Sequence, residues 1–308
     1  MKNKIIEIKN LSHKYSTDWA VKDINFEIES KGVFGLLGSN GAGKSTIMNI
    51  ICNVLTQTEG DVMINGVDLR ENATLAKKYI GFLPQQAPLH LELTVYEYLY
   101  HCADLRSIPK KEIPNAITSV MEKCKITHFR NRTLSNLSGG YRQRVGIAQA
   151  IIHNPKFVVL DEPTNGLDPN QILEVRKLIK EIAKDRAVLI STHILPEVQA
   201  TCNSIMMIEH GNIVFKGSIK EFDNYMDPSV ILVIMHNAPS DEELLKIEGI
   251  KRVERLTRTR IRLHFVGHKT IIKDIIKKSV NENWELREIS LENESLDKVF
   301  AKLSGKSI

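Results

Sequence analysis

The stretch Gly32-Val33-Phe34-Gly35-Leu36-Leu37-Gly38-Ser39-Asn40-Gly41-Ala42-Gly43-Lys44-Ser45-Thr46 decides the fold. Its opening, Gly32 to Leu37, is a continuous apolar run bounded by glycines. Such a run reads as a strand buried on both faces that opens a βαβ unit. The remainder fits G-x-x-x-x-G-K-S and leads into helical spacing over about residues 44–55. Glycines let consecutive backbone N–H groups turn toward phosphate oxygens, and the start of the next helix adds the positive end of its dipole. Lys44 would neutralise the β- and γ-phosphates of a nucleotide, and the Ser45 hydroxyl would ligate Mg2+. Gly38, Ser39, Asn40, Gly41, Ala42, Gly43, Lys44, Ser45 and Thr46 are therefore candidate nucleotide-binding residues.

Upstream, Ile5 to Ile28 is strand-like on both sides of a turn at Ser16-Thr17-Asp18. Downstream, apolar runs at 157–160 and 187–190 flank a helical stretch at 171–184. Strands alternating with helices imply a parallel sheet covered by helices. Between Leu93 and Ile152 apolar residues recur at three- and four-residue steps: Tyr96-Leu99-Tyr100, Ile117-Val120-Met121-Cys124 and Val145-Ala148-Ile152. A helical subdomain inserted into the α/β core is expected. Beyond Tyr225 the order is a strand (230–235), a helix (241–247), strands (251–257 and 260–266), a helix (269–279) and a strand (284–291). A closing helix is expected at 294–303. The order βαββαβ is the ferredoxin-like α+β signature.

With 308 residues, 42% hydrophobic and 26% charged, the chain has ordinary globular proportions that exclude disordered and collagen-like classes. The length suits two domains at about 150 residues each. A net charge of +5, from 42 Lys and Arg against 37 Asp and Glu, permits an anionic partner without naming one. Cys52, Cys102, Cys124 and Cys202 lack the close pairings of metal or redox sites, so they read as reduced thiols of a cytosolic protein. No run approaches the ~18 consecutive apolar residues of a membrane helix. Glu7 and Lys9 interrupt the apolar region that a secretory signal would need.

The second buried run ends in Asp161-Glu162. Strands often end in solvated acids, but downstream of a phosphate loop Asp161 would hold the Mg2+ shell and Glu162 would polarise the attacking water. Leu137-Ser138-Gly139-Gly140-Tyr141-Arg142-Gln143-Arg144 opens another helix, with Ser138 as a natural N-cap. The phosphate loop, this Ser-Gly-Gly segment and Asp161-Glu162 close behind it together resemble the ATP-binding cassette (ABC) ATPase family.

That resemblance implies a P-loop NTPase cassette over residues 3–227, with a mixed sheet core and inserted helical subdomain, followed by a ferredoxin-like regulatory or accessory domain over 228–308. It implies that Tyr15 stacks on adenine. Gln85, or its neighbour Gln86, would be the glutamine that contacts Mg2+ and water at the junction with the helical subdomain. Asn165-Gly166-Leu167-Asp168 resembles the D-loop, and His193, after Ser191-Thr192, the switch histidine. The catalytic set is then Glu162, His193 and Gln85, and the metal set is Ser45, Gln85 and Asp161. Ser138, Gly139 and Gly140 would bind the nucleotide held by a partner copy.

The same resemblance implies an ATP- and Mg2+-dependent ATP hydrolase of the ABC-type translocase class. Two such chains would pair head to tail, as a homodimer or heterodimer, with two ATP at the interface. They would drive an integral membrane permease on a separate chain and sit peripherally on the cytoplasmic face of the membrane. Tyr141, where the family most often has Gln, and the tail from Ile289 to Phe300 are similar to exporter ATPases of the drug, polysaccharide and gliding-motility type.

The alternative is a soluble ABC ATPase of translation or nucleic-acid maintenance. No second phosphate loop is present, as two-cassette translation factors have, and only residues 47–137 separate loop from signature, too few for a long coiled coil. A non-hydrolysing regulatory cassette would lack Glu162 or His193. The basic cluster Lys251, Arg252, Arg255, Arg258, Arg260 and Arg262 has Glu254 within it and no interleaved aromatics. It reads as the solvent face of a small sheet, and no direct nucleic-acid binding is expected.

Overall fold

Strands without polar alternation need cover on both faces, and the three apolar runs are neighbours in one sheet. The computed structural model describes residues 4–29, 31–225, 230–266 and 270–292. The chain divides into two compact units, Met1–Ile219 and Lys220–Ile308.

The first unit opens with a hairpin, β1 (Ile6–Tyr15) and β2 (Asp18–Ile28), that turns at Ser16 with φ 54°. β3 (Gly32–Leu37) runs into the phosphate loop and α1 (Lys44–Ile51). The helix stops short of Leu55. Asn53 adopts left-handed backbone, φ 52°, and the N–H groups of Asn53 and Val54 return to the carbonyls of Ile50 and Asn49 at 2.9 and 2.8 Å. This Schellman closure satisfies the terminal carbonyls.

Next come β4 (Glu59–Ile64), β5 (Val67–Asp68), α2 (Ala73–Lys78) and β6 (Ile80–Leu83), then the helices α3 (Val95–Leu105), α4 (Ile113–Lys123) and α5 (Gly139–Ile151). β7 (Phe157–Leu160), α6 (Pro169–Ile182), β8 (Ala187–Thr192), α7 (Leu195–Thr201), β9 (Ser204–Glu209) and β10 (Asn212–Ser218) follow, and α8 (Ile219–Tyr225) starts at the boundary and runs into the second unit.

A six-stranded sheet has the order β10-β9-β3-β8-β7-β6, parallel except for the edge strand β10. Phe157, Val159, Ala187 and Leu189 point to one side, where α1 and the smaller antiparallel sheet β2-β1-β4-β5 share their core. Val158, Leu160, Val188 and Ile190 point to the other, into the core of α3, α4, α5 and α6. Parallel pairing aligns Leu37 with Thr192, Ile190 with Leu160, and Leu160 with Leu83. The segments leaving β3, β8, β7 and β6 therefore emerge side by side at the carboxyl edge, where α/β sheets bind ligands.

The stripe through which α3 packs keeps the expected Leu99 but not Tyr100. Val95, Tyr98, Leu99 and Ala103 are buried, while Tyr100 is exposed and Tyr96 lies under the Arg130 guanidinium at 4.0 Å. The buried set follows the i, i+3, i+4, i+8 spacing of one helix face, and phenol rings can leave their polar edge in water.

The second unit contains β11 (Val230–Met235), α9 (Asp241–Leu245), β12 (Ile250–Arg255), β13 (Arg260–Phe265), α10 (Ile271–Asn281) and β14 (Leu286–Glu292). Its sheet order is β12-β13-β11-β14 with every pair antiparallel. Ile231, Val233, Met235, Ile261, Leu263 and Phe265 form a core with Leu244, Ile271, Ile275 and Trp284. Within the basic cluster, Arg255 pairs with Asp241 at 2.6 Å, and Arg262 pairs with Glu292 at 2.6 Å and Glu254 at 3.7 Å. The closing helix expected at 294–303 lies outside the described residues.

Among the described residues, no helix is long and apolar enough to cross a membrane. The four cysteines are unpaired, and burial pushes the Cys124 and Cys202 thiols up to about 12.

Candidate functional site

Lys44 opens α1 and is only 6% exposed. Its ammonium donates to the carbonyls of Gly38 and Ser39, both at 2.9 Å. Burial lowers its pKa, against the opposing pull of the Glu162, Asp161 and Glu209 carboxylates. Gly43 is the N-cap of α1 in left-handed backbone, φ 108°, and no side chain caps the helix. The first N–H groups thus have no side-chain acceptor and suit an anion. A Cβ on Gly43 would lie 2.5 Å from Val21 Cγ1, and one on Gly38 would lie 2.5 Å from the Ile208 carbonyl oxygen. Only glycine lets hairpin and loop approach this closely. Ser39 Oγ bonds Glu209 at 3.2 Å, Ala42 is buried, and Asn40 and Ser45 are exposed. Tyr15, 53% exposed, ends the strand whose hairpin touches Gly43, its ring edge-on to His13 at 4.8 Å.

Asp161 and Glu162 leave β7 in opposite environments. Asp161 is buried and accepts a short hydrogen bond from Ser191 Oγ, which in turn accepts from the Glu162 N–H at 2.8 Å. Glu162 is held in left-handed backbone, φ 46°, a conformation that costs a non-glycine residue of order 1 kcal/mol and persists where surroundings impose it. Its carboxylate gathers three groups from three loops. Gln85 Nε2 and Asn165 Nδ2 each donate to Oε2 at 3.1 Å, and His193 Nδ1 meets Oε1 at 3.2 Å. The three expected catalytic residues are therefore in direct contact, and it is Gln85, not Gln86, that bonds Glu162.

Ser138 occupies the N-cap position of α5, but its hydroxyl makes no capping bond, contrary to the expectation from its residue type. Only its backbone carbonyl engages the helix, accepting from Arg142 N–H at 3.0 Å. The α5 helix is fastened elsewhere: Gln143 Nε2 donates to the Pro163 carbonyl at 2.8 Å, Arg144 pairs with Glu174, and the Gln171 side chain lies where a Cβ of Gly140 would sit. Among the described residues, no hydrogen bond joins Ser138, Gly139 or Gly140 to loop 38–46. Asn165, in the segment that resembles the D-loop, bonds Glu162 directly, while Ser191 and Gln143 join the site without a role read from the sequence. The polar Ser191-Thr192 ending an otherwise apolar strand was the one available signal.

Mg2+ keeps several waters and takes one or two protein oxygens beside the phosphates. The exposed Ser45 hydroxyl and the Asp161 carboxylate are hard oxygen donors of that kind, so the residues fit the ion. Among the described residues no group of three or more His, Cys, Asp or Glu could hold a metal by itself.

A glycine-cradled phosphate loop on a mixed sheet, beside a neighbouring strand that ends in Asp-Glu, defines a P-loop ATPase cassette. Residues 21–165 match the family described as ABC transporter. YdbJ, an ABC transporter ATP-binding protein of Bacillus subtilis (strain 168), is 35% identical over 235 residues, which cover 76% of this chain and 75% of YdbJ. The linearmycin resistance ATP-binding protein LnrL of the same organism is 25% identical over 311 residues, 99% of both chains. ABC transporter A family member 8 of Dictyostelium discoideum is 31% identical over 93% of this chain, which spans 36% of that relative's length.

Among solved structures, cbiO1 of Clostridium perfringens, part of the ABC transporter complex cbiONQ, superposes with TM-score 0.67 at 28% identity, covering 72% of this chain and 91% of its own. A dimeric ATP-binding cassette in a post-hydrolysis state, bound to ADP and Pi, superposes with TM-score 0.63 at 25% identity, covering 70% and 98%. The chain belongs to the ABC transporter ATP-binding protein family.

Proposed function

We propose that this chain is the ATP-binding and ATP-hydrolysing subunit of an ABC transporter that drives a separate integral membrane permease, in the direction of export. The convergence of Gln85, Asn165 and His193 on the Glu162 carboxylate carries the reading. A carboxylate aimed by three donors is equipped to take a proton from a water that attacks the γ-phosphorus as the bond to ADP breaks. His193 then orients Glu162, and Lys44 with the N–H groups opening α1 balances the charge that builds on the phosphate oxygens. Mg2+, held by Ser45 and Asp161, would supply further neutralisation of that charge.

Two copies would pair head to tail. The Ser138 hydroxyl, not engaged in capping its own helix, is free to bind the γ-phosphate held by the partner, and a dimeric relative with ADP and Pi supports the arrangement. ATP binding would close this dimer and hydrolysis would open it. The permease has a candidate seat in a cleft of about 960 Å3 lined by Val54, Phe82, Leu105 and Ile108. Val54 and Leu105 are 67% and 70% exposed there. Docking on it would hold the chain peripherally at the cytoplasmic face of the membrane.

Residues 3–227 form the cassette, and 228–308 a ferredoxin-like accessory domain, a reading supported by the strand order β12-β13-β11-β14. Export draws support from LnrL, named for resistance to linearmycin. A role in translation or nucleic-acid maintenance is not favoured, since YdbJ is named as an ABC transporter ATP-binding protein.

Glu162→Gln is expected to bind ATP, to lower hydrolysis by about 10²–10⁴-fold, and to accumulate as a dimer in size-exclusion chromatography with ATP. Turnover at the wild-type rate would overturn the assignment.

A further inference from the structure

We propose that Glu197 is a positioning residue of the ATPase site, a buried carboxylate that joins the turn leaving Glu162 to the strand end carrying His193. The proposal rests on the reading of Glu162 and His193 as the hydrolytic pair.

Glu197 lies in the first turn of α7 and is 6% exposed. Its Oε1 accepts from Thr164 Oγ1 at 2.7 Å and its Oε2 from Thr192 Oγ1 at 2.8 Å, with the Arg176 guanidinium 3.8 Å away. The Thr192 hydroxyl accepts from the Ile194 N–H at 3.0 Å. One anion therefore fixes the residue two beyond Glu162 and both neighbours of His193.

The pairing of β7 with β8 ends at Leu160 and Ile190, so the ladder does not extend to Glu162 and His193. Their separation depends on side-chain ties, and Glu162 holds a backbone conformation that needs them. Helix-dipole stabilisation would be served equally by an exposed acid in the first turn. A carboxylate drawn into the interior is costly unless fully hydrogen-bonded, and here both oxygens are engaged by the two segments that carry the pair. Displacement of a reacting group by about 1 Å costs about 10²-fold in rate.

The test is steady-state hydrolysis by the full chain at saturating Mg2+ and ATP, beside equilibrium binding of ATP, for Glu162→Gln, His193→Ala, Glu197→Ala, Glu197→Gln, Thr192→Val and the Glu197→Ala/His193→Ala pair. Glu197→Ala should lower kcat by about ten- to a hundredfold and leave the ATP Kd within about twofold, because Lys44 and its loop carbonyls are not part of the tie. Glu197→Gln, which keeps an oxygen acceptor for Thr164, should fall between it and the wild type. The double variant should be slower than His193→Ala by less than the product of the single losses, since with His193 gone only the Glu162 arm of the tie remains to be lost.

A folded Glu197→Ala with wild-type kcat, or losses that multiply in the double variant, would overturn the proposal. If thermal unfolding shows that Glu197→Ala does not fold, Thr192→Val, which deletes one arm of the tie at nearly constant volume, decides: a lowered kcat supports the tie and an unchanged kcat refutes it. Normal turnover by Glu162→Gln and His193→Ala would overturn the reading of the site itself, and this proposal with it.

Discussion

Polar side chains are arranged in opposite ways in the two units. Around Glu162 they are withdrawn from water and hold one another: Ser191 bridges Asp161 and the Glu162 backbone, and Glu197 bridges Thr164 and Thr192. On the sheet of the second unit they stand on the surface and pair across strands, as Arg262 does with Glu292 and Glu254. Buried hydrogen bonds lose the full desolvation cost when one partner is removed, whereas exposed ion pairs exchange their partner for water. The first arrangement holds geometry, and the second contributes mainly solubility and register.

Substitutions in each cluster test that contrast. The largest effect is expected at Lys44→Ala, where the buried ammonium of the glycine-rich loop is lost. ATP affinity should fall by about a hundredfold or more in equilibrium binding, and unchanged binding would contradict the role of the loop. Ser191→Ala comes next. It strips a donor from buried Asp161 and an acceptor from the Glu162 N–H, so urea unfolding should show a loss of about 1–3 kcal/mol. A loss near zero would mean that this cluster behaves like the exposed one.

His153 offers a pH test of the buried regime. Burial lowers its pKa from 6.5 to about 4. Its Nε2 bonds the Ile80 carbonyl at 2.9 Å, and its Nδ1 is buried without a partner. Between pH 6.5 and 4 the unfolded chain binds the proton and the native one does not, so this contribution is intact above pH 6.5 and is lost as pH falls. Unfolding free energy should drop by about 1–2 kcal/mol between pH 7 and pH 5, and His153→Gln should flatten that part of the profile. An equally steep profile in the variant would assign the loss to other groups. The smallest effect is expected at Arg262→Ala, whose pairs are half-buried at the surface of the sheet. Its urea midpoint should move less than that of any variant above, and the difference should vanish in 1 M salt.

Much of the cassette was legible because the decisive signals are contiguous. A phosphate loop is read from its own glycines, and the strands at 157–160 and 187–190 from their unbroken apolar runs, since both faces are covered. Helix ends were less legible. The stop of α1 at Ile51 depends on Asn53 entering left-handed backbone, and asparagine only permits that conformation. In α3 the expected Leu99 is buried and Tyr96 packs against the core, but Tyr100 is exposed, because a tyrosine counts as apolar in a periodicity while its ring can lie in water. Ser138 has the residue type of a cap and the position of one, yet its hydroxyl does not cap.

The phosphate-binding loop, the alternation of strands and helices, and the acids that end β7 are readable from local sequence, because backbone conformation and burial period are local properties. Tertiary structure alone decided which partners those acids have. Gln85, Asn165 and His193 come from the segments after β6, β7 and β8, Ser191 from the end of β8 and Glu197 from the start of α7. They meet because parallel register brings the ends of β6, β7, β8 and β3 to one edge, and hydrogen bonds between residues far apart in sequence are set by that register rather than by any local preference.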